Sequence, residues 1–321
     1  MKKVTILIPA YNEEEAIPSL YAELDRVSAL CGDYLFDFLF VDDGSSDATL
    51  FILEQMRQKD QRIKTLALSR NYGKETAMMA GIDYAEGDAL VILDADLQDP
   101  PELIIEMLKW WEEGYDDVYA KRRTRKGESW MKRITSKRYY AMLQKTTRIP
   151  LQRDTGDFRL LDRRCIDALK TIRETQRYTK GLFSWIGFKK KEILFDRQPR
   201  IAGKTKWNYF NLINLAIEGF TSFTIVPLRI STIAGFFVSF IAFIYMIIIL
   251  IRTLMFGPDV SGYPSLMMVI LFLGGIQLIS LGVIGEYLGR IFNETKKRPL
   301  YFIDTYNEEK VYNISDGNTK I

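Results

Sequence analysis

Two aspartates, Asp94 and Asp96, follow the apolar run Ala89-Leu90-Val91-Ile92-Leu93. Along an extended segment, residues two apart point the same way, so both carboxylates can face one ligand site. Held that close, they repel unless a cation lies between them. A hard divalent ion such as Mg2+ or Mn2+ accepts oxygen ligands of this kind and binds substrate phosphates too. Gln98, two residues further on, can add an amide oxygen or hydrogen-bond a ligating group. An Asp-x-Asp at a strand end equally suits a solvated turn, so the pair alone leaves both readings open.

Asp42-Asp43-Gly44 closes a second apolar run at 36–41. A carboxylate there can accept hydrogen bonds from a nucleobase or a ribose, although Asp-Gly is also an ordinary turn. Pro9-Ala10-Tyr11-Asn12-Glu13 closes a first run at 4–8, and Tyr11 suits either the face of a base or a half-buried loop position. Gly73-Lys74 lacks the surrounding Walker sequence and is not counted as a phosphate loop. The chain has no histidine. That excludes Ser-His-Asp and Cys-His nucleophiles, His-ligated zinc and imidazole base catalysis. Polar chemistry is left to carboxylates, Lys and Arg, hydroxyls or a hard metal ion.

The elements that must position these groups alternate. Strands are predicted over 4–8, 36–41, 63–68 and 89–93, with helices over about 16–30, 49–59 and 75–85 between them. Such alternation implies parallel βαβ units in an open α/β sheet, whose ligands sit beyond the carboxyl ends of the strands. The clusters at 11–13, 42–43 and 94–96 all fall at those ends. A further strand at Val118-Tyr119-Ala120 puts Arg122 directly after it and makes Arg122 the better site candidate among Lys121-Arg122-Arg123. Lys189-Lys190-Lys191 reads as surface.

Charge and hydropathy divide the chain. Its 321 residues carry 44 Lys and Arg against 41 Asp and Glu, a formal net charge of +3 that gives no argument for nucleic acid. Two cysteines, Cys31 and Cys165, lie far apart in the sequence and suit a reduced compartment. The short apolar run after Met1-Lys2-Lys3 is not a secretory signal, which keeps the first domain in the cytoplasm. Residues 230–251 and 264–285 carry no charge, and about 20 residues at 1.5 Å each cross a hydrocarbon core. Lys204, Lys206 and Arg229 precede the first stretch, and Arg290, Lys296, Lys297 and Arg298 follow the second. The segment between holds Asp259, with Arg252 the one dissenting cation. The positive-inside rule then puts both termini in the cytoplasm. The expected organisation is a catalytic domain at 1–206, an amphipathic interfacial helix region at 207–228, two transmembrane helices within 229–290 and a tail at 291–321. Gly274, Gly275, Gly282, Gly285 and Gly289 permit close helix contact and a homo-oligomer.

Taken in order, 8–14, 41–47, 93–101, Asp154-Thr155-Gly156-Asp157-Phe158-Arg159, Arg200-Ile201-Ala202-Gly203-Lys204-Thr205-Lys206 and Gly285-Glu286-Tyr287-Leu288-Gly289-Arg290 resemble glycosyltransferase family 2. More closely, they resemble its polyprenyl-phosphate glycosyltransferases, relatives of dolichol-phosphate mannose synthase. The resemblance covers nearly the whole chain up to about Phe302. It implies a GT-A fold with a mainly parallel sheet. Pro9, Tyr11, Glu13 and Asp42 would hold the nucleoside, and Asp94, Asp96 and Gln98 would surround the metal and diphosphate. Asp157 would be the acid on the acceptor side, and Arg122, Arg200 and Lys206 the phosphate-binding cations. No Gln-x-x-Arg-Trp is present, and Gln176-Arg177-Tyr178 is a poor substitute, so transfer of a single sugar is expected. The motif around Asp157 looks most like glucose-transferring members, making UDP-glucose the expected donor and UDP-N-acetylglucosamine the next. The expected acceptor is polyprenyl phosphate, and a different lipid or a protein hydroxyl is the competing choice. A vestigial membrane adaptor is disfavoured because Asp94, Asp96 and Asp157 are all present. Asp157 is expected to act as a base or to orient the acceptor phosphate.

Overall fold

Apolar runs such as Val4-Thr5-Ile6-Leu7-Ile8 suit strands covered on both faces, where hydrophobicity need not alternate. The computed structural model describes residues 1–123, 155–175, 179–196, 226–256 and 262–311. Two units divide the chain, one of Met1–Tyr209 with Arg298–Ile321 and one of Phe210–Lys297.

In the first unit the strands are β1 (Lys2–Ala10), β2 (Tyr34–Asp42), β3 (Ile63–Leu68), β4 (Ala89–Ile92), β5 (Asp117–Arg122), β6 (Thr155–Asp162), β7 (Lys190–Phe195), β8 (Ile303–Tyr306) and β9 (Glu309–Lys310). Its helices are α1 (Ile17–Leu30), α2 (Thr49–Lys59), α3 (Lys74–Tyr84), α4 (Leu103–Glu112), α5 (Arg163–Thr171) and α6 (Thr179–Trp185). On one face of the sheet Val4, Ile6, Ile8, Phe38 and Phe40 join Leu20, Leu24, Leu53, Ile104 and Met107 in one buried cluster. On the other, α3 lies so close to β1 that a side chain added at Gly81 would meet Leu7. Burial of these residues supplies the main favourable term for the domain, on the order of 25 cal/mol per Å2 of apolar surface.

The strand order is β7-β5-β6-β4-β1-β2-β3-β8-β9. The expected mainly parallel sheet is in fact mixed. β1 with β2 and β4, β2 with β3, and β5 with β7 pair parallel. Every antiparallel pairing involves one of two reversed strands, β6 or β8. The reversal of β6 positions the site. Ile92 pairs with Arg159, so two residues past the carboxyl end of β4 the chain meets the residues two before Arg159. Asp94 thereby comes opposite Asp157.

The segment expected as a tail from 291 also differs. Residues 303–310 are strands of this sheet, with β8 covering the outer edge of β3. The Asn307 amide N–H donates to the Thr65 carbonyl at 2.8 Å, and its side-chain Oδ1 accepts from the Thr65 N–H at 3.0 Å. Tyr301 donates to Asp83 at 2.6 Å, and Arg173 pairs with the same carboxylate oxygen at 2.6 Å. Lys190 is not a surface residue either. Its ammonium donates to the Phe183 carbonyl at 2.6 Å and lies 3.9 Å from the buried Asp117. Lys189 is exposed over the ring of Tyr115, and Lys191 is half-buried over the ring of Trp110.

The second unit holds two helices, α7 (Val226–Phe256) and α8 (Tyr263–Thr295), which contain the two expected apolar stretches. Ser231 donates to Ser280 at 2.8 Å between them. Among the described residues, Phe272–Thr295 is long and apolar enough to cross a membrane, with a mean hydropathy of 1.4, and Ile230–Tyr245 is a shorter apolar helix. Residues 207–225 of the expected interfacial region lie outside the described residues.

Candidate active site

At the carboxyl ends of β1 and β2, two loops are laced together. Asn12, at φ 55°, donates its N–H to Ser45 Oγ at 2.9 Å and accepts from the Ser46 N–H at 2.8 Å. The Glu13 N–H donates to Thr49 Oγ1, and Glu14 accepts from the Ala48 N–H, both at 2.9 Å. Pro9 is half-buried at the end of β1 and Tyr11 is exposed. Asp42 is buried, and its Oδ2 accepts from the Ser45 N–H at 3.2 Å while Oδ1 has no hydrogen-bond partner. Burial pushes its carboxyl pKa up. A buried acceptor with one oxygen to spare suits a ligand N–H or O–H donor.

Asp43 has a different task. Its two oxygens accept from the Tyr72 N–H at 2.7 Å and the Gly73 N–H at 2.8 Å. They fasten the loop between β3 and α3, where Gly73 takes φ 93°. Gly44, at φ 65°, lets the two loops meet, because a Cβ there would stand 2.5 Å from the Arg70 carbonyl carbon.

That loop delivers Lys74, the first residue of α3, to the acids. Its Nζ lies 2.6 Å from Asp94 Oδ1 and 2.6 Å from Asp157 Oδ2. Sharing one ammonium puts the two carboxylate oxygens within about 5 Å of each other, where bare like charges repel by roughly 3 kcal/mol at an effective dielectric near 20. Burial works to raise the Asp157 pKa, but the charges of Lys74, Lys180 and Arg159 outweigh it and hold the carboxyl below its ordinary value. Lys74 shows the reverse, since burial would lower its pKa and the two carboxylates raise it.

Asp96 Oδ1 accepts from the Gln98 N–H at 3.2 Å across Leu97, which is held at φ 52°. A non-glycine residue in that region stores strain of order 1–3 kcal/mol, a feature that clusters at ligand sites. Gln98 is buried, and its Oε1 has no hydrogen-bond partner. Among the described residues, no group of three His, Cys, Asp or Glu side chains gathers as a self-sufficient metal site. Asp94, Asp96 and Gln98 still fit a hard ion, because they present only oxygen donors and one of these is orphaned. Arg122 ends β5, and its Nη2 stands 3.8 Å from where a Cβ on Gly156 would be, beside Asp157.

Residues 5–169 match the family described as Glycosyl transferase family 2, and residues 226–291 match the GtrB C-terminal hairpin. The chain belongs to glycosyl transferase family 2. It is 49% identical to an uncharacterized glycosyltransferase of Synechocystis sp., over 94% of each chain. It is 44% identical to the prophage bactoprenol glucosyl transferase homolog of Escherichia coli, over 94% of this chain and 98% of the relative. To the bactoprenol glucosyl transferase of Shigella phage SfV it is 42% identical over the same shares. Among solved structures it is similar to glucosyl-3-phosphoglycerate synthase from Mycobacterium tuberculosis in complex with Mn2+, UDP and phosphoglyceric acid. That likeness has a TM-score of 0.43 at 16% identity, covering 68% of this chain and 75% of that one.

Within this family member, the structure gathers Asp94, Asp96, Gln98, Asp157 and Arg122 at one end of β4, β5 and β6. Pro9, Tyr11, Glu13 and Asp42 stand at the ends of β1 and β2. Arg200 and Lys206 lie outside the described residues. Arg159, a partner that Asp157 would have if it were only structural, instead pairs with Asp117 at 3.1 Å, both fully buried. Sequence reasoning missed Lys74 and the loop-fastening part of Asp43. The available signal was topological, since Lys74 begins the helix after a third parallel strand and so sits at the ligand edge of the sheet.

Proposed function

We propose that this protein transfers one glucose from UDP-glucose to polyprenyl phosphate, with inversion at the anomeric carbon, at the cytoplasmic face of a membrane. The observation that carries this reading is the meeting of Asp94 and Asp157 on Lys74. Donor-side and acceptor-side acids there share one site at the ligand edge of the sheet. Relatives named as bactoprenol glucosyl transferases, matched over nearly their whole length, support the choice of sugar and lipid.

Asp42 offers its spare oxygen to the nucleoside, with Pro9, Tyr11 and Glu13 around the same loops. Asp94, Asp96 and Gln98 would hold a divalent ion, Mg2+ or Mn2+, which when bound offsets charge developing on a diphosphate leaving group. Arg122 adds fixed positive charge beside Asp157, and Arg200 and Lys206 keep the phosphate-binding roles the family pattern assigns them. The acceptor needs little activation. A phosphate monoester has its second pKa near 6, so the attacking oxygen is largely ionised at neutral pH. It bonds to the anomeric carbon as the bond from that carbon to the diphosphate oxygen breaks, and the electron pair leaves with UDP. No proton has to be removed. Asp157, held below the ordinary carboxyl range and already paired with an ammonium, is better suited to orienting that phosphate than to acting as a base. Helices α7 and α8 are read as a hairpin of two spans with both ends cytoplasmic.

The test is a donor panel with purified full-length protein and a short polyprenyl phosphate, read by mass spectrometry. The expected product is glucosyl-phosphoryl-polyprenol, with no transfer to the free polyprenol and none by Asp96→Ala or Asp157→Ala protein. Transfer to the free alcohol, or undiminished activity in both variants, overturns the assignment.

A further inference from the structure

Lys74 belongs to no motif that the family reading uses, yet its position is closely specified. Two independent devices fix the loop before it. Asp43 grips the amides of Tyr72 and Gly73 at 2.7 and 2.8 Å. The Gly44 backbone closes against Arg70 and Asn71, where a Cβ would come within 2.5 and 2.7 Å of backbone atoms. Both devices come from the loop directly after Asp42, the last residue of β2. The donor-side loop thus sets where the ammonium stands.

An ammonium has three N–H donors. One is donated to Asp157 Oδ2 at 2.6 Å, and the ammonium is also ion-paired with Asp94 Oδ1 at 2.6 Å. The Lys74 side chain is still 43% exposed, so its ammonium has an open side. Asp94 is thereby engaged by a resident cation, and any divalent ion that uses its Oδ1 must displace or share that contact.

We propose that Lys74 is a positioning residue which bridges the Asp94–Asp157 pair and offsets its repulsion while substrates are absent, and which competes with the divalent cation for Asp94. The inference rests on the glycosyltransferase reading given above. When Asp94 turns to a divalent cation, Lys74 remains on Asp157, holds that carboxylate in place and presents a free N–H donor to a phosphate oxygen. A side chain that served only to hold the site together would have the opposite signature, because its loss would weaken cation binding.

Mn2+ binding separates the two. Full-length protein in detergent is titrated with Mn2+ alone, without donor or acceptor, and free Mn2+ is followed by electron paramagnetic resonance. Lys74→Met and Lys74→Gln are expected to bind Mn2+ about fivefold more tightly than the wild type, the lower end of couplings between interacting sites. Lys74→Arg, which keeps the charge, is expected to stay near the wild type. In transfer assays Lys74→Met is expected to lose about tenfold or more in kcat without a raised KM for UDP-glucose. Equal or weaker Mn2+ binding by both neutral variants, with wild-type binding intact and near-native thermal unfolding, overturns the proposal and leaves the functional reading standing. A wild type that transfers glucose but binds no Mn2+ overturns the competition alone. A wild type that does neither overturns the functional reading and this proposal with it.

Discussion

Glu75 offers a test of the electrostatics around Asp157 that needs neither substrate nor metal. It follows Lys74 on the first turn of α3 and accepts the Thr179 N–H at 2.9 Å. Burial and the nearby charge of Asp157 push its carboxyl pKa from 4.5 up to about 7, against the opposing pull of the Thr179 hydrogen bond, Lys180 and Lys74. A carboxyl with a raised folded-state pKa binds more protons folded than unfolded between those two values. Stability therefore falls as pH rises from about 4.5 to about 7 and stays reduced above it. At 1.36 kcal/mol per unit, the full penalty is roughly 3 kcal/mol. Water on its open side screens this to about 1–2 kcal/mol. Glu75→Gln keeps an oxygen for the Thr179 N–H and cannot ionise. At 2–4 °C per kcal/mol for a domain of this size, it is expected to raise Tm by about 2–8 °C at pH 8. The gain should shrink toward zero near pH 5, where the native carboxyl is already protonated. Thermal unfolding of the full-length protein at the two pH values is the assay. An equal gain at both, or none at pH 8, refutes the reasoning.

Arg159 and Asp117 form a fully buried ion pair, with the guanidinium 3.8 Å from the Phe183 ring centroid. Arg159→Leu leaves a buried carboxylate short of its main charge partner and is expected to cost about 3–5 kcal/mol in denaturant unfolding, with Asp117→Leu added to it restoring part of the loss. Gly44→Ala forces a side chain against the Arg70 backbone at φ 65°. It should destabilise by about 1–3 kcal/mol and raise KM for UDP-glucose, because the loops carrying Asp42 and Lys74 are pushed apart. Asp42→Asn replaces one acceptor oxygen of a buried carboxylate by a donor and is expected to weaken UDP binding by calorimetry about tenfold, with Mn2+ binding unaffected.

The central part of the fold was legible because its strands are buried on both faces and its helices are bounded by polar turns. Residues 49–59 and 63–68 were read to the residue as α2 and β3. The acids at strand ends were legible for the same reason, since a parallel sheet puts every such end on one edge. What could not be read was strand direction. Thr155–Asp162, with only Phe158, Leu160 and Leu161 apolar, was not read as a strand, and only its pairing partners show that it runs against β4. Lys74 was discounted for lacking a Walker sequence, although its contacts are with carboxylates and not with a phosphate-binding loop. Lys190 was hidden inside a run of three lysines, because the face of β7 it shares with the exposed Glu192 and Leu194 is covered only at its own position, by Phe183 and Asp117.

The reversed strand β8 was invisible for a different reason, and its place has a consequence for assembly. Ile303-Asp304-Thr305-Tyr306 is short and half polar, the pattern of an edge strand, and it follows a long apolar helix in the sequence. Its partner β3 is among the earlier strands made, so the outer edge of β3 must wait for the chain to pass through α7 and α8 before it is covered. An open edge beside a hydrophobic sheet is a site for wrong pairing. The Asn307 contacts to Thr65 on both backbone groups, and the Tyr301 contact to Asp83, tie the returning segment to β3 and to α3. Because α3 begins at Lys74, the helix that delivers the bridging ammonium is anchored near its far end by residues encoded after the hairpin. The carboxylate pair at 94 and 157 and the segment beyond 298 thus depend on one helix, and the catalytic fold is complete only when the last strands have joined it.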